Sequence, residues 1–158
     1  MNKKPITPDK ALARLQDLCV RSEQCSYDLR RKLFNWGVSA DASDKIINRL
    51  IAEKFVDDER FSTAFVRDKY RFSGWGRMKI MTHLAAKRIS KSVAENALEA
   101  INAEEYAEVA LKALKARARA LKEGNTYEGR TKLYRFGVSR GFETSLVSSL
   151  IKSGAVWE

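Results

Sequence analysis

The chain has 158 residues, 44% of them hydrophobic and 32% charged, with 30 Lys and Arg against 20 Asp and Glu for a formal net charge of +10. That apolar content excludes a disordered polyelectrolyte, no apolar run approaches the roughly 20 residues of a membrane span, and Met1-Asn2-Lys3-Lys4-Pro5 lacks the apolar core of a secretory signal. The excess of positive charge points to a polyanionic partner such as nucleic acid, in the cytoplasm.

Helical periodicity of 3.6 recurs along the whole chain, and strand alternation hardly occurs. The two prolines, Pro5 and Pro8, lie ahead of the first expected helix, which starts near Asp9 and carries Leu12, Leu15, Leu18 and Cys19. A second helix is expected after Ser26 as N-cap, with Leu29, Leu33 and Trp36, and stops at Gly37. A third starts near Asp41, with Asp44 three residues on, and carries Ile46, Ile47 and Leu50. The acids Asp57-Asp58-Glu59 suit the positive end of a fourth, which carries Phe61, Ala64, Phe65 and Tyr70. It ends before Ser73-Gly74-Trp75-Gly76, a run of loop formers that would expose Trp75. A fifth carries Met78, Met81, Leu84 and Ala85. A sixth opens at Ser90 to Ser92, where Ser92 and Glu95 make a capping-box pattern, and carries Val93, Ala97, Leu98 and Ile101. The last three are expected over 103–122, 126–139 and 144–152, with Gly124 and Gly154 as stops.

Such a run of helices contains a repeat. With Gly37, Arg88 and Gly141 taken as equivalent, Ile46, Ala97 and Leu150 fall nine residues later, and Ile47, Leu98 and Ile151 ten later. The expected fold is all-α, an elongated tandem repeat of three three-helix, helix-turn-helix-like motifs made of nine helices. Residues 1–8 would be a flexible tail, and the repeats would cover 9–56, 57–102 and 103–158. Stacked repeats in one chain close their own core, so a monomer is expected.

Positive charge is spread over all three units: 11 basic and 7 acidic residues in 1–56, 9 and 6 in 57–102, and 10 and 7 in 103–158. In the seventh helix Leu111, Leu114, Ala118 and Leu121 form an apolar stripe. Lys112, Lys115, Arg119 and Lys122 follow it one residue on, about 100° around the helix, as a basic edge some 15 Å long. Arg60, Arg67 and Arg71 make a similar line on the fourth helix, and Arg30, Arg31 and Lys32 sit early in the second. Tyr27, Trp36, Tyr70, Phe72, Trp75, Tyr127 and Tyr134 lie near these groups. Aromatic rings can stack on single-stranded bases, although Trp36 is expected in the core. The residues assigned to partner contact are Arg30, Arg31, Lys32, Arg67, Arg71, Arg77, Lys87, Arg88, Lys112, Lys115, Arg119, Lys122, Arg135 and Arg140.

Signals for catalysis, cofactors and metals are weak. The chain contains no GxxxxGK[ST] and no GxGxxG, and its one histidine, His83, has Lys87 rather than a ligand four residues on. Cys19 and Cys25 lack zinc-ligand spacing. Cys19 reads as a buried thiol and Cys25, beside a helix start, as partly exposed. Asp57-Asp58-Glu59 could mark a metal-dependent nuclease, but helix capping explains the run. No cofactor, no metal and no enzyme activity are expected.

The sequence resembles the RecX regulatory proteins, modulators of the RecA recombinase. The resemblance runs from about residue 10 to 152. It is carried by Ala11-Leu12 with Leu15, by Arg21-Ser22, and by Ser26-x-x-Leu29-Arg30-x-Lys32-Leu33 with the stop at Gly37. Its most specific piece is Phe55-Val56-Asp57-Asp58-Glu59-Arg60-Phe61, followed by Phe65-Val66-Arg67. Gly76-Arg77, the stretch from Leu84 to Ile89, and Arg140-Gly141-Phe142 complete it. The chain departs from the family at Trp36-Gly37 and at Lys87-Arg88, where Lys-Gly is usual.

The resemblance implies a non-enzymatic protein that sits in the groove of a RecA filament on DNA, contacts recombinase and DNA, and blocks filament extension or favours disassembly, so dampening recombination and the damage (SOS) response. The charge reading adds sequence-independent binding to single- and double-stranded DNA. Two alternatives stand beside it. A helix-turn-helix transcription regulator would need base-reading side chains, for which the third helix offers Asn48 and Arg49 and the sixth Asn96. A protein-binding solenoid would ignore nucleic acid.

Overall fold

In a computed structural model the described residues, 4–158, form nine α-helices and a closing 3-10 turn, with no strand among them. The helices are α1 (Pro8–Arg21), α2 (Ser26–Asn35), α3 (Ala40–Ala52), α4 (Asp58–Arg71), α5 (Arg77–Ala86), α6 (Lys91–Glu99), α7 (Ala103–Ala120), α8 (Tyr127–Ser139) and α9 (Thr144–Lys152). The turn is Ala155–Trp157. None of these helices is long and apolar enough to cross a membrane.

The repeat rests on one turn used three times. Gly37, Arg88 and Gly141 all have positive φ, at 79°, 60° and 95°. The next residue in each case donates its N–H five residues back: Val38 to the Leu33 carbonyl, Ile89 to Leu84 and Phe142 to Gly137. That six-to-one bond, with the left-handed residue before it, is a Schellman C-cap. Val38, Ile89 and Phe142 are then buried, so each cap inserts an apolar residue into the core. The following residues, Ser39, Ser90 and Glu143, are the N-caps of α3, α6 and α9.

Several expected caps shift by one or two residues. Ser39, not Asp41, caps α3 by accepting the Ala42 N–H. Ser90, not Ser92, caps α6 through the Val93 N–H. Cys25 occupies the cap position of α2 without a side-chain bond, and Ser26 lies inside the helix. The acids opening α4 divide their work. Asp57 caps, accepting from the N–H groups of Glu59 and Arg60. Asp58 reaches back 32 residues, its carboxylate accepting from Ser26 N–H at 2.9 Å and Ser26 Oγ at 2.7 Å. The α2 N-terminus is therefore capped by a residue of the next unit.

Two cores result. Ala11, Leu15, Leu29, Leu33, Val38, Ile46, Ile47, Leu50 and Val56 close the first unit by themselves. The second core is continuous through the other two units, from Phe61, Ile80 and Leu84 to Leu114, Leu133 and Val147, with Cys25 joining from the first unit. Between the second and third units the backbones themselves touch. Gly76 N–H donates to the Arg140 carbonyl and Met78 N–H to that of Gly141, and a Cβ on Gly76 would overlap Gly141 and Phe142. Only glycine fits there. The accessible surface, 10157 Å², exceeds the roughly 8,000 Å² of a compact globular protein of 18.0 kDa, as expected for stacked units that bury each other only in part.

Other expectations change. α5 buries Ile80 and Leu84, while Met78 and Ala85 are exposed, because polar and apolar residues intersperse around this short helix and mark no clear face. The stripe of α7 is Tyr106, Ala110, Leu114 and Ala118, with Leu111 half-buried. α7 ends at Ala120, so Lys122 lies beyond the helix. The described part of the expected tail is anchored: Ile6 N–H donates to the Trp36 carbonyl, and Pro8 opens α1. Residues 1–3 of that tail lie outside the described residues. The cysteines exchange roles, Cys25 being fully buried and Cys19 half-buried. Packing against the neighbouring unit, invisible in local periodicity, covers Cys25.

Candidate nucleic-acid interface

Where a cation has a carboxylate within reach, its charge is committed to the fold. Five of the assigned residues are of this kind. Arg30 pairs with Asp44 at 2.5 Å, joining α2 to α3. Lys87 pairs with Asp28 at 2.6 Å, joining the end of α5 to the first turn of α2. Arg71 holds Glu105 through Nε at 2.7 Å and Nη2 at 3.3 Å, and this bond keeps the Glu105 carboxyl below its ordinary range. Arg77 reaches Glu143 at 3.4 Å and lies 3.9 Å from the centre of the Tyr106 ring. Arg67 pairs only with its neighbour Asp68, at 3.5 Å. The expected basic line on α4 is thus mostly internal wiring. Arg60, its first member, binds Glu23 at 2.5 Å and the carbonyls of Lys54 and Phe55. Arg140 donates to the Ser73 carbonyl and is half-buried, another strut between the second and third units.

The other assigned residues have no ion pair among the described residues: Arg31, Lys32, Arg88, Lys112, Lys115, Arg119, Lys122 and Arg135. Lys112, Lys115 and Arg119 lie at i, i+3 and i+7 on α7, with Lys112 and Arg119 exposed and Lys115 half-buried. Lys122 extends this edge from the connection after the helix. Arg31 and Arg88 come from two units onto one ring, Tyr27, at 6.0 and 5.8 Å from its centroid. Unneutralised cations therefore occur in all three units.

One cluster escaped the sequence reading. Trp75 is half-buried rather than exposed, edge-on to Phe65 and 4.4 Å from the His83 ring. The ammonium groups of Lys69 and Lys79 lie 4.7 and 4.5 Å from the Trp75 centroid. These residues come from the end of α4, the following loop and α5. The loop-forming signal at 73–76 was the only local hint of their convergence. Phe72 and Tyr127, at 83% and 81% exposure, are the most open aromatic rings.

The remaining candidate chemistry is taken up by structure. Asp57 and Asp58 cap two helices. Burial pushes the Cys25 thiol up to about 11, well away from a neutral-pH nucleophile, and also raises Cys19. His83 Nδ1 bonds the Lys79 carbonyl.

Family comparisons agree with this architecture. Residues 57–98 match the model of the RecX second three-helix domain, and residues 104–151 that of the third. The chain is 31% identical over 140 residues to "Regulatory protein RecX" of Clostridium botulinum strain Eklund 17B, an alignment covering 87% of this chain and 65% of that one. It thus spans about two thirds of that relative's length. It is 30% identical over 150 residues to the protein of the same name from Neisseria gonorrhoeae strain NCCP11945, covering 93% of both chains. A crystal structure of regulatory protein RecX superposes with a TM-score of 0.82 at 24% identity, over 92% of this chain and 71% of that one. RecX from Lactobacillus salivarius superposes with a TM-score of 0.79 at 19% identity, over 92% and 95%. With its Schellman-capped three-helix units and these sequence matches, the chain belongs to the RecX family of regulatory proteins.

Proposed function

We propose that the protein binds the RecA recombinase filament on DNA and restrains its extension, damping recombination and repair in the cytoplasm. It acts as a monomer and by binding alone, with no chemical step of its own. The observation that carries this reading is the set of unpaired cations spread across three stacked units, Arg31 and Arg88 at one end and Lys112, Lys115 and Arg119 at the other. A charge track of that kind suits an extended helical polyanion better than it suits a single groove. Contact with DNA is electrostatic and sequence-independent, so affinity falls steeply with salt as counterions are released. The transcription-regulator reading loses ground because Arg49, one of its few base-reading candidates, is tied to Glu53 at 3.0 Å. The test is filament growth on single-stranded DNA, followed by recombinase ATPase, with the protein added before or after nucleation. Binding to naked single strands and duplex at two salt concentrations runs alongside. Slowed extension with salt-sensitive DNA binding is expected; unimpeded filaments would overturn the reading.

A further inference from the structure

We infer that Trp75, Lys69 and Lys79 form a discrete site for the backbone phosphates of a nucleic-acid strand, at the junction of the second and third units. The inference rests on the DNA contact proposed above and assigns it a place.

The Lys69 and Lys79 ammonium groups lie over one indole ring, at 4.7 and 4.5 Å from its centroid, and neither has a carboxylate partner among the described residues. A ring face attracts a cation but does not neutralise it. Other positive or protonatable groups crowd in. The His83 ring is 4.4 Å from the same indole. The Arg140 side chain reaches the adjoining loop, bonding the Ser73 carbonyl and lying against Gly74. The Arg140 Nε is buried without a hydrogen-bond partner. The acids of this region are engaged elsewhere, Glu143 with Arg77 and Tyr106 and Asp68 with Arg67. Like charges gathered without a counter-ion repel, and two ammoniums at 4.7 and 4.5 Å from one centroid lie at most about 9 Å apart, a span that successive phosphates of a strand can cover.

The structure also fixes the site firmly. Trp75 packs edge-on against Phe65 at 6.4 Å, and its backbone N–H donates to the Lys69 carbonyl, which ties the loop residue to the base of one lysine. Lys79 is held by its backbone against Gly141, on the glycine contact that locks the two units. A strand seated here would bear on a rigid platform that spans both units.

The experiment uses the full chain labelled with 5-fluorotryptophan, whose Trp75 signal is assigned with Trp75→Phe. An oligo(dT) strand and a duplex are titrated in, with polyglutamate and inorganic phosphate as separate arms. Affinity is measured against salt for the parent, for Lys69→Gln/Lys79→Gln, and for Lys45→Gln/Lys152→Gln, a control that removes the same charge from exposed positions elsewhere. The Trp75 resonance should shift with DNA. The Lys69/Lys79 variant should lose roughly tenfold or more in affinity, and its log–log salt slope should shallow by between one and two, as expected for about two lost phosphate contacts. The control should change far less. Circular dichroism melts confirm folding. Equal losses in control and test variants, a silent Trp75 signal in a parent that binds DNA, or a response to polyglutamate matching that to DNA would each overturn the site. A parent that binds no DNA would instead sink the proposed DNA contact, and this site with it.

Discussion

Asp58 holds the start of another helix rather than its own, and its removal has a calculable cost. Its carboxylate accepts two hydrogen bonds from Ser26, at 2.9 Å from the N–H and 2.7 Å from the hydroxyl. It also sits at the positive end of α2, whose own cap residue, Cys25, contributes no side-chain bond. A lost N-cap costs about 0.5–2 kcal/mol, and a hydrogen bond to a charged group contributes about 1.5–3 kcal/mol when buried. Asp58 is half-buried, so Asp58→Ala should cost about 2 kcal/mol. For a chain of this size that is a fall in melting temperature of roughly 4–8 °C. Asp57→Ala removes an exposed cap and should cost only about 1 kcal/mol. Ser26→Ala deletes the hydroxyl bond alone, and the double variant with Asp58→Ala should reveal a coupling of about 1 kcal/mol. Urea denaturation of the four proteins, with hydrogen exchange at the amides of Ser26 and Tyr27, reads all of this. Additive losses within about 0.5 kcal/mol, or a larger loss from Asp57→Ala, would refute the assignment of Asp58 to α2.

Reversing Lys112, Lys115 and Arg119 to Glu should weaken salt-sensitive DNA binding and filament inhibition while changing stability by no more than about 0.5 kcal/mol per site. Unchanged inhibition in a normally folded variant would move the contact elsewhere. Arg88 holds φ at 60°, where its counterparts are glycines. Arg88→Gly should therefore be more stable than Arg88→Ala by about 1 kcal/mol, since both lose the guanidinium and only one keeps a Cβ in the left-handed region. Equal denaturation midpoints would count against that strain. Glu105 is held below its ordinary value of 4.5 chiefly by the hydrogen bond from Arg71. A carboxylate depressed on folding adds stability above its unfolded pKa, which is lost as pH falls through the lower folded value. Stability measured from about pH 6 down to about pH 3 should accordingly fall less in Arg71→Gln than in the parent, and parallel curves would contradict the pairing.

The fold was legible where its determinants are local. Gly37 and Gly141 announce left-handed caps, the aliphatic pairs after them mark the buried faces, and the equivalence with Arg88 holds in the backbone even though the side chain departs from the pattern. The function of each charge was not legible, because it depends on partners far away in sequence. Arg77 and Glu143 are 66 residues apart, and Lys87 and Asp28 are 59 apart. A line of arginines on α4 looks the same in sequence whether it faces a polyanion or a carboxylate on the next unit. The same blindness exchanged Cys19 with Cys25, whose covering comes from packing against the following unit. It also left Lys69 and Lys79 out of the assigned contacts, since they meet only through the turn that carries Trp75.

The two junctions hold the stack together by different physics. Between the second and third units, backbone hydrogen bonds, a glycine contact and a shared apolar core carry most of the contact and weaken little with salt, with the Arg71–Glu105 and Arg77–Glu143 pairs beside them. Between the first and second, Cys25 and Tyr27 pack against the second core, beside Asp58 on Ser26, Arg60 on Glu23 and Lys87 on Asp28. Lys87 and Asp28 keep 28% of their side-chain surface exposed, so that pair is screened only in part. The first unit, with a larger share of charged contacts, is therefore the one whose seating responds more to ionic strength, and Arg31 and Arg88 both approach the Tyr27 ring at this same junction. A phosphate drawn to those two guanidiniums would bridge the units where their own contacts are weakest. Salt thus acts twice on a charged partner at this end, once by screening the contact and once by loosening the surface that makes it.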